Sequence, residues 1–180
     1  MRCNLRHILF GMFILGCAAC MAENDTISHD FAALTASGGI AYSNSNKTGT
    51  TAEIVYTCTG TNAAFGLDLI WTSKIAINLP SSPCNVTTSP AVDNMIGLEV
   101  WHYKEAGVVP EVYVSTETDP TWRPATGDTI VQNDAQVIRL ALPQNKYFVK
   151  VQNSTSGKKY SILKINYISR RPCNCLRVTL

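Results

Sequence analysis

From residue 51 onward the chain keeps one rhythm, and that rhythm limits what it can fold into. The runs "TAEIVYTC", "MIGLEVWHYKE", "EVYVST", "AQVIRLALP", "KYFVKV" and "YSILKINYI" are rich in β-branched and aromatic residues. The polar, Gly/Pro-containing segments "SSPCNVTTSP", "AGVVP", "ETDPTWRPATGD", "QN" and "QNSTSGKK" separate them. This is the pattern of short strands and turns. "FGLDLIWTSKIAINL" is long enough for two short strands or one bent strand. In "KYFVKV", Tyr147, Val149 and Val151 oppose Phe148 and Lys150, the alternation of an antiparallel sheet with one buried face. In the last run Leu163, Ile165 and Tyr167 share one face, and Ile162, Lys164 and Asn166 the other. "DNMIGLEVWHYKEA" is the nearest approach to a helical period, but Gly97 and the β-branched content make it a strand. The expectation is an all-β fold, a jelly-roll-like antiparallel β-sandwich of about eight strands.

The first 22 residues read differently. Arg2 and Arg6 precede an apolar run over residues 8–20, followed by small residues and an abrupt change to "ENDT". That is the layout of a secretory signal peptide, and the run is too short to span a bilayer. Small residues at Cys20 and Ala22 place cleavage before Glu23. "ILGC" also resembles a lipobox, in which Cys17 would carry a lipid anchor at the cell surface. The domains expected are a signal peptide over 1–22, a flexible Gly/Ser/Thr/Asn-rich segment over 23–50 and a β-sandwich over 51–180. Removing Arg2 and Arg6 from the 15 Lys and Arg leaves 13, against 13 Asp and Glu. A neutral surface argues against nucleic acid, which needs a basic stripe, and there is no polybasic membrane signal. Hydrophobic residues make up 46% of the chain, enough for a core without a metal or cofactor. No cofactor is expected.

Export bears on the cysteines. Four remain after residue 22: Cys58, Cys84, Cys173 and Cys175. An even number in an exported protein predicts disulfides. Either the two C-terminal cysteines reach back to Cys58 and Cys84, stapling the tail to the sandwich, or Cys58–Cys84 closes a 26-residue loop. A loop of that size is worth about 3–4 kcal/mol in the chain-entropy model. A thiolate metal site at the C-x-C pair is the alternative. Asn24, Asn46, Asn85 and Asn153 each open an Asn-x-Ser/Thr sequon, a glycan acceptor in a eukaryotic host.

A resemblance joins this reading at the C-terminal strands. A run ending in Leu142-Pro143, a Tyr147-x-Val149-x-Val151 strand and a closing strand with Tyr160, Ile162 and Ile165 resemble the end of bacterial pre-peptidase C-terminal domains. "PEVYVSTETDP" is similar to the strand that precedes it there. The likeness covers residues 98–168, 71 of 180. Asn145 stands in place of the family's usual Gly, and Glu111-Val112 in place of Asp-Leu. The resemblance implies a jelly-roll-like sandwich acting as an accessory or binding domain of the kind appended to secreted hydrolases.

Residues able to do chemistry are few. The histidines beyond the leader are His29, in the N-terminal segment, and His102, read as a half-exposed strand residue. No G-x-S-x-G, H-E-x-x-H or P-loop pattern occurs, so the chain reads as non-enzymatic. Trp71 and Trp101 lie in strand runs and read as core. Trp122 lies in a loop stiffened by Pro120 and Pro124, with Asp119, Arg123 and Asp128 close in sequence. An indole platform with polar groups beside it suits a sugar ring, and loops on a rigid sandwich are where binding concentrates. Asp93, Asp119, Asp128 and Asp134 supply carboxylates for Ca²⁺ but make no EF-hand loop. The expectation is a module binding carbohydrate or extracellular matrix. The alternatives are a subunit of a bacterial surface fibre completed by a neighbour's strand, a surface lipoprotein, and a secreted inhibitor or toxin.

Overall fold

The structure, a computed structural model, describes residues 23–31, 48–51, 54–67, 75–80, 83–108, 110–132 and 135–171. The leader with Cys17, the sequon at Asn46, Trp71, Asp134 and the Cys173/Cys175 pair lie outside the described residues. Among those described there are twelve strands: β1 (Asn24–Asp30), β2 (Thr48–Thr51), β3 (Ile54–Thr59), β4 (Ala64–Leu67), β5 (Ile75–Leu79), β6 (Cys84–Ser89), β7 (Val92–Lys104), β8 (Pro110–Ser115), β9 (Arg123–Ala125), β10 (Asp128–Gln132), β11 (Ala135–Asn153) and β12 (Tyr160–Arg170). All pair antiparallel. The fold is the expected all-β sandwich, with more strands than the turn signals suggested, and with two of the expected strands fused into the 19-residue β11. No helix among the described residues is long and apolar enough to cross a membrane.

Two sheets share one strand. The first sheet runs β10, β11, β7, β12, and then β1 and β5 side by side along β12, with β4 outermost. The second runs β9, β8, β11, β6, β3, β2. The 19-residue β11 belongs to both. Its first half pairs with β10 and β7, and residues 148–153 pair with β8 and β6. Gln144-Asn145, read as a turn, falls within the bend between the halves, residues 142–145, and the β7 ladder shifts register there. A proline has no N–H for a ladder, and Pro143 sits exposed at this bend.

The strands on either side of "QNSTSGKK" are therefore not hairpin partners. Residues 148–153 lie in the second sheet and β12 in the first. The connection arches over the end of the sandwich and is tied down from within. Asn153 is fully buried; its Nδ2 donates to the carbonyls of Leu79 and Lys158, both at 2.8 Å, and its Oδ1 accepts from Thr155 N at 3.0 Å. A side chain so enclosed, with its amide committed, has no room for a glycan. Asn24 is exposed on β1 and Asn85 half-buried on β6.

The core lies between the sheets. Tyr56, Tyr160, Tyr167, Phe31, Phe65, Ile77, Leu79, Met95, Leu98, Ile162 and Ile165 are its largest fully buried side chains. Each contributes roughly 1.5–3 kcal/mol by leaving water. The expected alternation of β12 breaks at Leu163, where the register to β7 shifts, so Ile162 and Ile165 both point inward. A bulge of this kind inserts one unpaired residue and flips the faces beyond it.

The tryptophan and histidine readings also change. β7 turns Leu98, Val100 and His102 inward and Glu99, Trp101 and Tyr103 outward. His102 is thus fully buried rather than half-exposed, and Trp101 is half-buried on the outer face beneath the Lys164 ammonium, 5.3 Å from the ring centroid. The segment read as flexible from residue 23 begins with β1, which pairs with β12 over seven positions. His29 on β1 is buried, with Nδ1 2.6 Å from the Tyr56 hydroxyl, which lies 2.8 Å from that of Tyr167. His29 and Phe31 alternate inward and fasten this strand to the core.

No disulfide bond is formed among the described residues, which corrects the expected Cys58–Cys84 bridge; the tail cysteines of the staple lie outside them. Cys58 faces Val86 in the β3–β6 ladder. Cys84 lies two positions along, diagonal to Cys58, at a separation of about 7–8 Å that resists bridging without backbone movement. Its near neighbour is Gly60, at φ +110°, where a Cβ would come within 2.6 Å of the Cys84 Cβ. Both cysteines are buried members of the core.

Two outcomes follow from this packing. Asn153→Ala strands the buried Leu79 carbonyl and the part-buried Lys158 carbonyl and should lower stability by about 2 kcal/mol, read as a lowered urea midpoint; a shift within about 0.5 kcal/mol would remove the anchor role. Burial, with a smaller push from Lys104, lowers the His102 pKa from 6.5 to about 3. The unfolded chain then takes up a proton that the folded chain refuses. Stability should fall as pH drops below 6.5, toward about 3, at up to about 1.4 kcal/mol per pH unit for this group. His102→Leu should flatten the upper part of that slope, above the range where carboxylates titrate, and an unchanged slope would count against it.

Candidate binding face

The outward residues of the second sheet form a broad face. On β8 they are Glu111 and Tyr113; on β11 Phe148, Lys150 and Gln152; on β6 Asn85 and Thr87; on β3 Thr57 and Thr59. Their inward neighbours Val112, Val114, Val149, Val151, Val86, Tyr56 and Cys58 fill the core. Register aligns the outward set into two rows across the strands. Tyr113, Lys150, Thr87 and Thr57 make one, and Glu111, Gln152, Asn85 and Thr59 the other.

Trp122 closes one end of this face. The β8–β9 loop that carries it is held by its own polar groups. Thr116 N donates to the Asp119 carbonyl at 2.9 Å, and Asp119 N to Thr116 Oγ1 at 2.9 Å. Asp119 Oδ1 accepts from Thr121 N at 3.1 Å; Oδ2 accepts from Arg123 Nε at 3.0 Å and Nη2 at 2.7 Å. The hydrogen bond from Arg123 holds the Asp119 carboxyl below its ordinary range. Pro124 is tolerated in β9 because that strand is an edge. The half-buried Trp122 ring then lies 5.2 Å from Lys150 Nζ, and the Tyr113 ring lies 4.2 Å from the same atom. Two aromatic faces thus flank one ammonium.

Glu111 ties this cluster to the rest of the face. Its Oε2 accepts from the Tyr113 hydroxyl at 2.7 Å, from Ser154 Oγ at 2.6 Å and, at the long limit of 3.5 Å, from Gln152 Nε2. The bond to Glu111 raises the Tyr113 pKa above its ordinary 10.0. Desolvation lowers that of Lys150, against the opposing charge of Glu111.

The residues singled out from sequence are only partly gathered. Asp119 and Arg123 engage each other and line a separate cleft of about 400 Å³ with Leu142, Pro143 and Tyr147. Asp128 opens β10, opposite Arg139 in the first sheet, away from Trp122 on the second. Tyr113, Lys150, Glu111 and Gln152 were not singled out. The outward positions of "EVYV" and "FVKVQ" were readable from alternation, but which strand lies beside the Trp122 loop was not. Further clefts among the described residues include one of about 380 Å³ near Ile27, His29 and Lys146 and one of about 310 Å³ near Val112, Pro124 and Ile138. Among the described residues no three His, Cys, Asp or Glu gather as metal ligands.

Comparison with known proteins returns no matching family model and no matching curated protein. Among solved structures, the chain is similar to the CBM22-1 xylan-binding domain of Xyn10C from Paenibacillus barcinonensis, at 10% identity and TM-score 0.47, over 83% of this chain and 96% of that one. It is also similar to TmCBM61, solved with β-1,4-galactotriose, at 17% identity and TM-score 0.37, over 64% of this chain and 82% of that one. Neither is a pre-peptidase C-terminal domain, and what stands of that resemblance is the β-sandwich.

The hydrogen bond between Tyr113 and Glu111 gives a direct check on the cluster. Followed by NMR of the ring protons, Tyr113 should titrate above 10.0 and return toward it in Glu111→Gln. An unchanged titration would mean that the bond does not form in solution.

Proposed function

We propose that this chain is an extracellular, non-catalytic binding module that takes a saccharide on the outer face of its second sheet. The single observation that supports this most is the pair of rings, Trp122 and Tyr113, standing together at the end of two rows of polar side chains. Pyranose rings present apolar faces and hydroxyl edges. Aromatic rings take the first, and the amides of Gln152 and Asn85 and the hydroxyls of Thr57, Thr59 and Thr87 suit the second. The expected ligand residues are Trp122, Tyr113, Lys150 and Gln152, with Asp119 and Arg123 holding the loop that presents Trp122. Asp128 has no part in it. Extracellular placement rests on the signal peptide read in residues 1–22.

The assembly reading needs an N-terminal extension available to a neighbouring subunit. Residues 24–30 are instead paired with β12 of the same chain, which weighs against it.

Trp122→Ala tests the proposal. The ring is half-buried on an edge loop, so the melting temperature should stay within about 5 °C of the parent. Affinity for a bound oligosaccharide, found by array and measured by calorimetry, should fall at least about tenfold. A fall in melting temperature beyond about 10 °C would show that the ring is structural; unchanged affinity would move the site elsewhere.

A further inference from the structure

The proposed face carries one cation placed unlike most of its neighbours. Lys146 is paired with Glu117 at 2.8 Å and Asp93 at 3.6 Å, Arg139 with Glu99 at 2.8 Å, and Arg123 with Asp119 at 2.7 Å. Lys150 has no carboxylate or carbonyl acceptor among the described residues. Its ammonium lies against the faces of Tyr113 and Trp122, 4.2 Å and 5.2 Å from their centroids. A ring face attracts a cation but does not replace the acceptors that three N–H donors seek. The nearest carboxylate, Glu111, is held one row away by Tyr113, Ser154 and Gln152. It is not available to swing onto Lys150 without breaking those bonds.

We infer that Lys150 sets the ligand class of this face, and that the saccharide is acidic, bearing a carboxylate or a sulfate. The inference rests on the saccharide reading above. The anionic group meets the ammonium from the side opposite Glu111, over Thr87, which is the ladder partner of Lys150 on β6. The sugar ring lies along the aromatic wall, and further rings of an oligomer extend along the row toward Thr87 and Thr57. A charge-assisted hydrogen bond here is stronger than a neutral one. The rings that hold the ammonium also fix its position before the ligand arrives, which lowers the ordering cost of binding. A neutral saccharide finds the same wall but leaves the donors of Lys150 to water.

The test compares three oligomers of equal length: galactose, galacturonate and sulfated galactose. Each is titrated into the full mature chain and followed by tryptophan fluorescence at about 20 mM and about 300 mM salt. At low salt an acidic oligomer should bind about tenfold more tightly than the neutral one, and high salt should weaken the preference. Which of the two acidic oligomers binds distinguishes carboxylate from sulfate. Lys150→Met keeps an unbranched stem against the rings and removes the charge; it should abolish the preference, and Lys150→Arg should keep it. Circular dichroism melts check that both variants fold. Neutral and acidic oligomers binding alike, with Lys150→Met unchanged, would overturn the inference and leave the saccharide reading standing. Folded protein that binds none of the three, nor any glycan on an array, would overturn both.

Discussion

The molecule depends on β11 serving two sheets at once. Its first half lies between β10 and β7, its second between β8 and β6, and the bend at Leu142 to Asn145 turns it from one layer to the other. A strand that crosses in this way fixes the spacing and relative rotation of the layers, because both ladders are built on one backbone. The core tyrosines, Phe31, Phe65 and the aliphatic residues of β7 and β12 pack into the gap that this strand defines. The arch after β11 completes the crossing. Asn153 substitutes its amide for ladder bonds where the chain leaves one sheet and enters the other.

The candidate face follows from the same strand. Residues 148–152 present Phe148, Lys150 and Gln152 outward because Val149 and Val151 are needed inward. The partner on one side, β8, brings Tyr113 and Glu111, and through its turn the Trp122 loop; the partner on the other, β6, brings Asn85 and Thr87. Apart from the Tyr113–Glu111 bond within β8, the set is brought together by strand pairing and not by sequence proximity. The face exists because the ladder puts separate outward positions at one level, and Glu111 and Lys150 then hold the rings in place.

Sequence carried the fold class and the buried-versus-outward assignment of simple strands such as "KYFVKV", since alternation is a local property. It did not carry features set by tertiary pairing. "QN" has the composition of a turn but lies at a bend inside one long strand. Leu163 sits at a bulge that only the β7 ladder reveals. His102 and Trp101 exchanged places because the larger ring invites a core assignment, although Leu98 and Val100 already marked the inward face of that strand. Cys58 and Cys84 suggested a bridge by number, whereas the register sets them on a diagonal. Of the site, the Trp122 loop was visible as a stiff aromatic segment; Tyr113 and Lys150 were not, because their nearness to it is a matter of strand order.

The most direct measurement is the map of backbone amide shifts as an oligosaccharide ligand is titrated into isotopically labelled protein. The account predicts that the perturbed amides form one patch spanning β8, the Trp122 loop, the second half of β11 and β6, with Tyr113, Trp122, Lys150 and Asn85 within it. Perturbation centred on the cleft near His29 or on the one lined by Asp119 and Arg123, with the outer face of the second sheet silent, would contradict it.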